Sequence, residues 1–241
     1  MLESSSVLGR IARFPLRFLS PDLVLPVLHG PLRGCRWVVG SAHHACWLGI
    51  YESQKVSLVA KELKPGSVFY DVGANAGFYS LLAGRIINLG KAYAFEPLPR
   101  NVRYLRRHLE LNRIRNVEVI ELAVSDSVGR ALFDELGDSA MGRLAQEGKL
   151  CVRTATLDSL VREEGISPPN VIKMDIEGAE LRALRGASES IQRYQPVIFL
   201  ATHGREVHEG CCQLLQSWGY ECRLLGGFLE ERGEIIARPC R

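Results

Sequence analysis

Acidic residues stand on both sides of a glycine-rich turn in the first half of the chain. The apolar run 68–72 contains Asp71 and is followed by Gly73 and Gly77. Glu96 closes the next apolar run. A glycine turn between a strand and a helix lets a nucleotide-like ligand approach the backbone, and a carboxylate roughly 20 residues later can accept hydrogen bonds from both hydroxyls of a ribose. The pattern predicts a ligand that contains a ribose.

The details of the turn distinguish between ribose ligands. A dinucleotide-binding turn has three glycines spaced G-x-G-x-x-G, which place a pyrophosphate on a helix N-terminus, whereas this turn has only Gly73 and Gly77. The charge of Asp71 would repel a pyrophosphate but suits a ligand with an ammonium and a sulfonium. We therefore expect S-adenosylmethionine to be the cofactor. The alternatives are a plain strand-to-helix turn and a dinucleotide-dependent dehydrogenase.

Three further residues are predicted to line the cofactor pocket. Asn75 lies within the turn and Phe78 begins the helix that follows it. Asp126 lies just past the third predicted strand, where a short acid can accept a hydrogen bond from an adenine amino group. The alternative is that Asp126 only forms the turn before Gly129.

A second set of ionisable side chains falls in the run 172–180. Side chains alternate between the two faces of a strand, so Lys173 and Asp175 point the same way, and Glu177 continues that side. Methyl transfer to a hydroxyl needs the acceptor held in line with the sulfonium and relieved of its proton. We expect Glu177, or else Asp175, to be the base, with Lys173 orienting the carboxylates or changing their pKa. The alternative is a helix N-terminus stabilised by acidic residues.

His203 follows the fifth predicted strand and is the histidine that this pattern puts at the same edge of the sheet. Its imidazole could act as a base or contact the substrate. A structural role is the alternative.

The elements that would position these residues alternate as in a doubly wound sheet. The pattern predicts a seven-stranded, mostly parallel sheet with strands at 68–72, 93–95, 117–124, 171–175 and 197–201 and a closing antiparallel pair at 220–225 and 227–236. The predicted helices are 50–63, 78–87, one from Pro99, 157–163, 177–194 and 207–218. Between the third and fourth strands we expect an inserted hairpin or flap, with extended pieces at 131–133 and 151–156 and a mobile polar tip that contains Gly137, Gly142 and Gly148.

Length and composition suit one α/β domain at 48–241 with an extension at 1–47 that packs on it or caps it. The net charge of +3 is too small to indicate a nucleic-acid partner. Seven cysteines, an odd number without C-x-x-C spacing, favour a reduced cytoplasmic setting and predict no metal site. We find no run of about 20 apolar residues, which a helix would need to span a bilayer. The basic segment 8–18 could make weak membrane contact, although packing on the domain is expected.

Five segments together resemble the FkbM family of methyltransferases, namely 68–80, 94–97, 123–126, 156–158 and 173–180. The resemblance covers about residues 48–225 and implies a Rossmann-like class I methyltransferase fold. It also implies O-methylation, with S-adenosylmethionine, of a hydroxyl on a natural product or sugar. The segment 49–52 resembles the part of the family that folds over the cofactor, which makes Tyr51 and Glu52 candidate pocket residues. Ala201 departs from the family, since an acid often stands there.

Two other functions fit parts of the pattern. A cluster of Lys173, Asp175 and Glu177 could also activate a ribose hydroxyl of a nucleic acid, but the strongly basic face that phosphate contacts need is missing from the composition. A non-catalytic cofactor-binding protein is supported only by Ala201 and the unusual N-terminus. We therefore expect a small-molecule hydroxyl acceptor.

Overall fold

The computed structural model describes residues 19–135, 142–145, 150–226 and 232–240. Its strands are β1 (Val24–Pro26), β2 (Arg36–Val38), β3 (Val68–Val72), β4 (Lys91–Phe95), β5 (Val117–Ile120), β6 (Ala123–Val124), β7 (Gly129–Glu135), β8 (Gly142–Ala145), β9 (Leu150–Ala155), β10 (Val171–Met174), β11 (Val197–His203), β12 (Tyr220–Leu224) and β13 (Arg232–Pro239). The α-helices are α1 (His44–Leu48), α2 (Ser53–Glu62), α3 (Phe78–Ile86), α4 (Pro99–Leu111), α5 (Leu157–Glu163), α6 (Glu180–Arg185), α7 (Ser188–Tyr194) and α8 (Arg205–Ser217).

The main sheet has seven strands in the order β12-β13-β11-β10-β3-β4-β5. Pairing is parallel from β11 through β5, and β13 is antiparallel to both of its neighbours. The predicted seven-stranded, mostly parallel sheet is therefore confirmed. The order reverses between β3 and β10, and in such sheets ligands bind outside the carboxyl ends of the strands at this point.

The predicted third strand, 117–124, is divided in the structure. The amide of Leu122 donates to the carbonyl of Ile120 at 3.0 Å, which closes a tight turn after β5. The chain then leaves the main sheet, and β6 pairs in parallel with β9. Periodicity could not show this change of partner, since both pieces are apolar.

The predicted insertion after the third strand is a second, four-stranded sheet in the order β6-β9-β7-β8. The two expected extended pieces are confirmed as β7 and β9, which pair antiparallel. Gly142 begins β8, whereas the sequence predicted a loop there. Gly137 and Gly148 of the predicted tip lie outside the described residues, as do 227–231 of the last predicted strand and the basic segment 8–18.

The predicted helix 177–194 is wrong at its start and is broken in the middle. Glu177 and Gly178 have φ of 52° and 100°, so the chain makes a turn there and α6 begins only at Glu180. A Cβ on Gly186 would lie 2.1 Å from the carbonyl oxygen of Ser125, so the chain approaches closely there. That contact accompanies the break between α6 and α7.

The described residues that precede α2, 19–52, pack on the main domain. Trp37 is completely buried in the same hydrophobic cluster as residues of β3 and α3. His108 of α4 stacks on Trp37 with ring centroids 3.9 Å apart, accepts the Val38 amide at 2.9 Å and contacts the Ala76 carbonyl at 2.7 Å. Across the part of the chain that the structure describes, no helix is long and apolar enough to cross a membrane.

Candidate active site

A cavity of about 210 Å³ lies at the carboxyl ends of β3, β4 and β10. The segment before α2 covers one side, since Trp37, His43 and Cys46 contribute to the wall. Nine of the residues predicted from the sequence line this cavity, namely Tyr51, Glu52, Gly73, Asn75, Phe78, Glu96, Lys173, Asp175 and Glu177. The structure therefore brings most of both predicted sets together.

The glycine turn is fixed by close backbone contacts. Gly73 has φ of 76°, and a Cβ there would lie 2.0 Å from the carbonyl oxygen of Asp175. The amides of Gly73 and Ala74 both donate to the carbonyl of Phe95 at 3.0 Å. Gly77, at φ of 90°, precedes α3 and packs against Leu105 rather than lining the cavity. Only glycine fits the backbone at these two places.

Glu96 presents a buried carboxylate beside the turn. Its oxygens accept the amide of Asn75 at 2.7 Å, the amide of Leu98 at 3.0 Å and the side-chain amide of Asn101 at 3.3 Å. Burial raises the pKa of Glu96 to about 6, because these hydrogen bonds only partly compensate for lost hydration. A carboxylate has about four acceptor sites and three are taken here, so about one remains for a hydroxyl donor of a ligand.

Asp71 and Lys173 form an ion pair behind the turn. The Lys173 ammonium lies 3.3 Å from the Asp71 carboxylate and donates to the Gly73 carbonyl at 2.8 Å. Ser80 donates to the other Asp71 oxygen at 2.6 Å. Asp71 is buried and does not line the cavity. From the sequence we expect it to hold the cofactor ammonium only indirectly or through water, and that role stays a prediction. The pair therefore stabilises the turn through the carbonyl of Gly73.

The segment 51–55 carries a second network that the sequence only partly predicted. Glu52 accepts the Tyr79 hydroxyl at 2.6 Å and pairs with Lys55 at 2.8 Å. Lys55 is buried and also binds both oxygens of Glu234 at 2.8 Å, which joins α2 to β13. Tyr51 packs edge-on against Phe78, with centroids 5.2 Å apart. Lys55, Tyr79 and Glu234 have no spacing pattern that would have found them.

Asp175, Glu177 and His203 meet at the other end of the cavity. The His203 Nε2 lies 3.7 Å from Asp175 Oδ1 and 3.3 Å from Glu177 Oε2. Its Nδ1 lies 2.9 Å from Glu180 Oε1. The guanidinium of Arg232 lies 2.7 Å from Nε2, because the register of β11 and β13 places Arg232 opposite His203. Sequence analysis missed both Glu180 and Arg232.

Opposite charges dominate the electrostatics of this end. Burial by itself would raise the pKa of Asp175, but Lys173, Lys55, His203 and Arg232 outweigh it and lower the pKa. Burial would lower the pKa of His203, but Glu180, Asp175 and Glu177 together raise it. The carboxylate of Asp175 is therefore ionised, and the Nε2 of His203 lies between two carboxylates and the Arg232 guanidinium.

Asp126 does not line the cavity. It is exposed, and the guanidinium of Arg182 donates to its carboxylate at 3.0–3.2 Å. Its pKa is lowered chiefly by these hydrogen bonds. The cavity is lined instead by the preceding apolar residues Leu122, Ala123 and Val124. The structure thus gives Asp126 a surface ion pair where the sequence predicted an adenine contact.

Comparison with known proteins identifies relatives along most of the chain. The profile described as "Methyltransferase FkbM domain" matches residues 71–222. "Hexuronic acid methyltransferase AglP" of Haloferax volcanii is 29% identical over 161 residues, which are 66% of this chain and 63% of that protein. "2-O-methyltransferase NoeI" of Sinorhizobium fredii is 28% identical over 178 residues, which are 65% of this chain and 70% of that protein. The chain thus spans roughly two thirds of the length of these relatives.

The fold is shared with solved methyltransferases. A structure of "Methyltransferase FkbM from Methylobacillus flagellatus KT" superposes with a TM-score of 0.51 at 17% identity, covering 81% of this chain and 53% of that one. At this identity the likeness shows the fold alone, which is that of class I methyltransferases. Since the family profile matches well over half of the sequence, the chain belongs to the FkbM methyltransferase domain family.

Proposed function

We propose that the protein transfers a methyl group from S-adenosylmethionine to a hydroxyl oxygen of a small molecule. The observation that carries this proposal is the division of one cavity into two chemical ends. The buried carboxylate of Glu96, which would accept a ribose hydroxyl, lies beside a glycine turn, and the carboxylates of Asp175 and Glu177 lie at the other end. A methyl donor and a hydroxyl acceptor need such neighbouring sites.

The donor end would hold the cofactor through backbone and buried groups. Glu96 would accept hydrogen bonds from the ribose hydroxyls, and the Gly73 turn would let the methionine part approach the main chain. Tyr51 and Glu52, in the segment between α1 and α2, and Phe78, at the start of α3, would cover the cofactor. Asp71 would act indirectly, because its ion pair with Lys173 fixes the carbonyl of Gly73.

The acceptor end supplies a proton acceptor. Glu177 is 25% exposed and lines the cavity, whereas His203 lies behind it and does not. Glu177 would take the proton from the acceptor hydroxyl. At the same time the hydroxyl oxygen would bond to the methyl carbon and the carbon–sulfur bond would break, which leaves S-adenosylhomocysteine. His203 and Arg232 lie 3.3 Å and 4.0 Å from the Glu177 carboxylate. Asp175 would orient these groups.

The acceptor class is supported by the relatives. Their names specify a hexuronic acid and a 2-O position, and a further relative from Streptomyces tacrolimicus, 27% identical over 163 residues, is named "31-O-demethyl-FK506 methyltransferase FkbM". Two of these three names state oxygen as the site of methylation. We infer that the acceptor here is a sugar or an oxygenated natural product.

Two measurements test the proposal together. S-adenosylhomocysteine should stabilise the protein against thermal unfolding, by an amount that grows with the logarithm of its concentration above the dissociation constant, because it binds only the folded state. NAD is the control and should have no effect. Labelled methyl groups should then pass from S-adenosylmethionine to members of a panel of uronic acids, other sugars and hydroxylated macrocycles. Stabilisation without transfer to any member would contradict the proposed activity and favour a cofactor-binding protein.

A further inference from the structure

The side chains of Asp175, Glu177 and His203 form a cluster of possible metal ligands. Each offers one ligand atom, and these atoms all lie within 4.8 Å of one another. One imidazole nitrogen and two carboxylates are a donor set suited to a divalent metal ion. The sequence predicted no metal site, because the three residues come from two strand ends and a turn.

One oxygen of this cluster has no hydrogen-bond partner. Asp175 Oδ1 is inaccessible to solvent and accepts no hydrogen bond from protein, although the Asp175 side chain as a whole is 13% exposed. The nearest basic groups to it are His203 Nε2 at 3.7 Å and the Arg232 guanidinium at 3.9 Å, both beyond hydrogen-bond length. A buried carboxylate oxygen without a donor is costly, and a bound cation would satisfy it.

The imidazole of His203 is held as metal-binding histidines are held. Its Nδ1 contacts Glu180 Oε1 at 2.9 Å, and Glu180 is completely buried and anchored by the amides of Ile176 and Gly178. A carboxylate on one ring nitrogen fixes the ring and directs the other nitrogen to the ion. Here that other nitrogen, Nε2, faces both Asp175 and Glu177.

Glu177 reaches the cluster through an unusual backbone. Its φ of 52° lies in the left-handed region, which costs free energy for a residue with a Cβ. Gly178 follows with φ of 100°. This turn keeps Glu177 out of α6 and brings its carboxylate to 3.3 Å from His203 Nε2.

Arg232 stands where the cation would be. Its guanidinium is 2.7 Å from His203 Nε2 and within 4.0 Å of both carboxylates, and the side chain is 54% exposed. An exposed arginine at the start of β13 can turn away into solvent. The guanidinium thus serves as a stand-in for the charge that the cluster attracts.

We propose that Asp175, Glu177 and His203 bind one divalent transition-metal ion of the Mn²⁺ type, which displaces Arg232. Asp175 and Glu177 line the cavity, so the ion would be open to a further ligand from it. On the basis of the function proposed above, that ligand is the acceptor hydroxyl, whose proton the ion makes easier to remove. Glu177 binds the ion with one oxygen and keeps the other for the proton.

Metal binding can be measured without any methyl transfer. Protein treated with EDTA and freed of the chelator is titrated with Mn²⁺, and unbound Mn²⁺ is followed by its electron paramagnetic resonance signal. We expect one saturable site per chain. Affinity should fall at least about tenfold in Glu177→Gln and in His203→Gln, since each loses a ligand. It should rise in Arg232→Gln, which loses the competing charge.

Glu118→Gln is the matched control, because it removes an exposed carboxylate that pairs with Lys91 on β4. It should bind Mn²⁺ as the unchanged protein does. Equal affinity in Glu177→Gln and the unchanged protein, or no saturable binding in Arg232→Gln, would overturn the site. Saturable Mn²⁺ binding without methyl transfer would support the metal site and contradict the proposed function. Methyl transfer that EDTA does not affect, with no Mn²⁺ binding, would support the proposed function and overturn the metal site.

Discussion

The donor end and the acceptor end of the cavity are built in different ways. The turn and the buried carboxylate of the donor end come from one stretch of chain, residues 71–96, to which Tyr51 and Glu52 are added from the segment between α1 and α2. The turn is held by backbone hydrogen bonds from Gly73 and Ala74 to Phe95. The acceptor end joins the end of β10, the turn at Glu177, the end of β11 and the start of β13. The first is mostly buried backbone, and the second is a cluster of partly exposed charges.

This difference separates rigid positioning from adjustable chemistry. A turn whose atoms leave no room for a Cβ can hold a cofactor in one place with little reorganisation. A cluster of charges with an exposed arginine beside it can change partners when a substrate or an ion arrives. We therefore expect changes at the donor end to act on cofactor binding and stability, and changes at the acceptor end to act on turnover.

The largest effect should follow Gly73→Ala. The new Cβ would lie 2.0 Å from the Asp175 carbonyl oxygen, and the alanine would have to adopt φ of 76°. The turn would have to move, so we expect a loss of about 2–4 kcal/mol in the free energy of unfolding and no detectable binding of S-adenosylhomocysteine. Denaturant unfolding and calorimetry measure the two.

Gly165→Ala is the control for Gly73→Ala. Gly165 has a similar φ of 69°, but a Cβ there would meet no atom within 4 Å. It should cost only about 1 kcal/mol, from backbone strain, and leave ligand binding unchanged. If both variants bind the ligand equally, close contact at Gly73 does not shape the cofactor site.

Glu96→Gln should have the next largest effect. Hydrogen bonds to a charged group contribute about 1.5–3 kcal/mol, so S-adenosylhomocysteine should bind roughly 10- to 150-fold more weakly. Hydroxyl donors favour the ionised carboxylate, and its pKa is about 6 in the free protein. Affinity should therefore be constant well above pH 6 and fall as the pH drops below it. The variant should lack this pH dependence in calorimetry.

The contribution of Glu96 to the stability of the fold should change with pH in the opposite direction to the affinity for S-adenosylhomocysteine. Burial raises the pKa of Glu96 from 4.5 to about 6, so the folded state holds this proton more tightly than the unfolded state. Its contribution to folding is greatest below pH 4.5 and declines as the pH rises to about 6. The difference in unfolding free energy between the unchanged protein and Glu96→Gln should follow that course. A difference in unfolding free energy that does not change with pH would contradict the burial of Glu96.

Asp126→Asn should have the smallest effect. Its ion pair with Arg182 is exposed, and such pairs contribute about 0–1 kcal/mol. Affinity for S-adenosylhomocysteine should stay within about twofold, in contrast to Glu96→Gln. A larger loss would return Asp126 to the cofactor site that the sequence predicted.

The sequence predicted the donor end well because its determinants are local. Strand β3, the turn at Gly73 and Glu96 follow one another within 30 residues, and their pattern reflects backbone geometry directly. The acceptor end was predicted only in part. Glu177 was expected in a helix, and Arg232 was missed because its place opposite His203 depends on the register of β11 and β13. The exposed ion pair of Asp126 was not predicted, because its turn leads into a second sheet.

The most direct test of the two-ended cavity pairs Glu96→Gln with Glu177→Gln. Each is assayed for binding of S-adenosylhomocysteine by calorimetry and for turnover at saturating S-adenosylmethionine. Glu96→Gln should mainly weaken binding, whereas Glu177→Gln should bind within about twofold of the unchanged protein and turn over at least about tenfold more slowly. Unchanged turnover in Glu177→Gln, or a loss of binding equal to that of Glu96→Gln, would contradict the division into donor and acceptor ends.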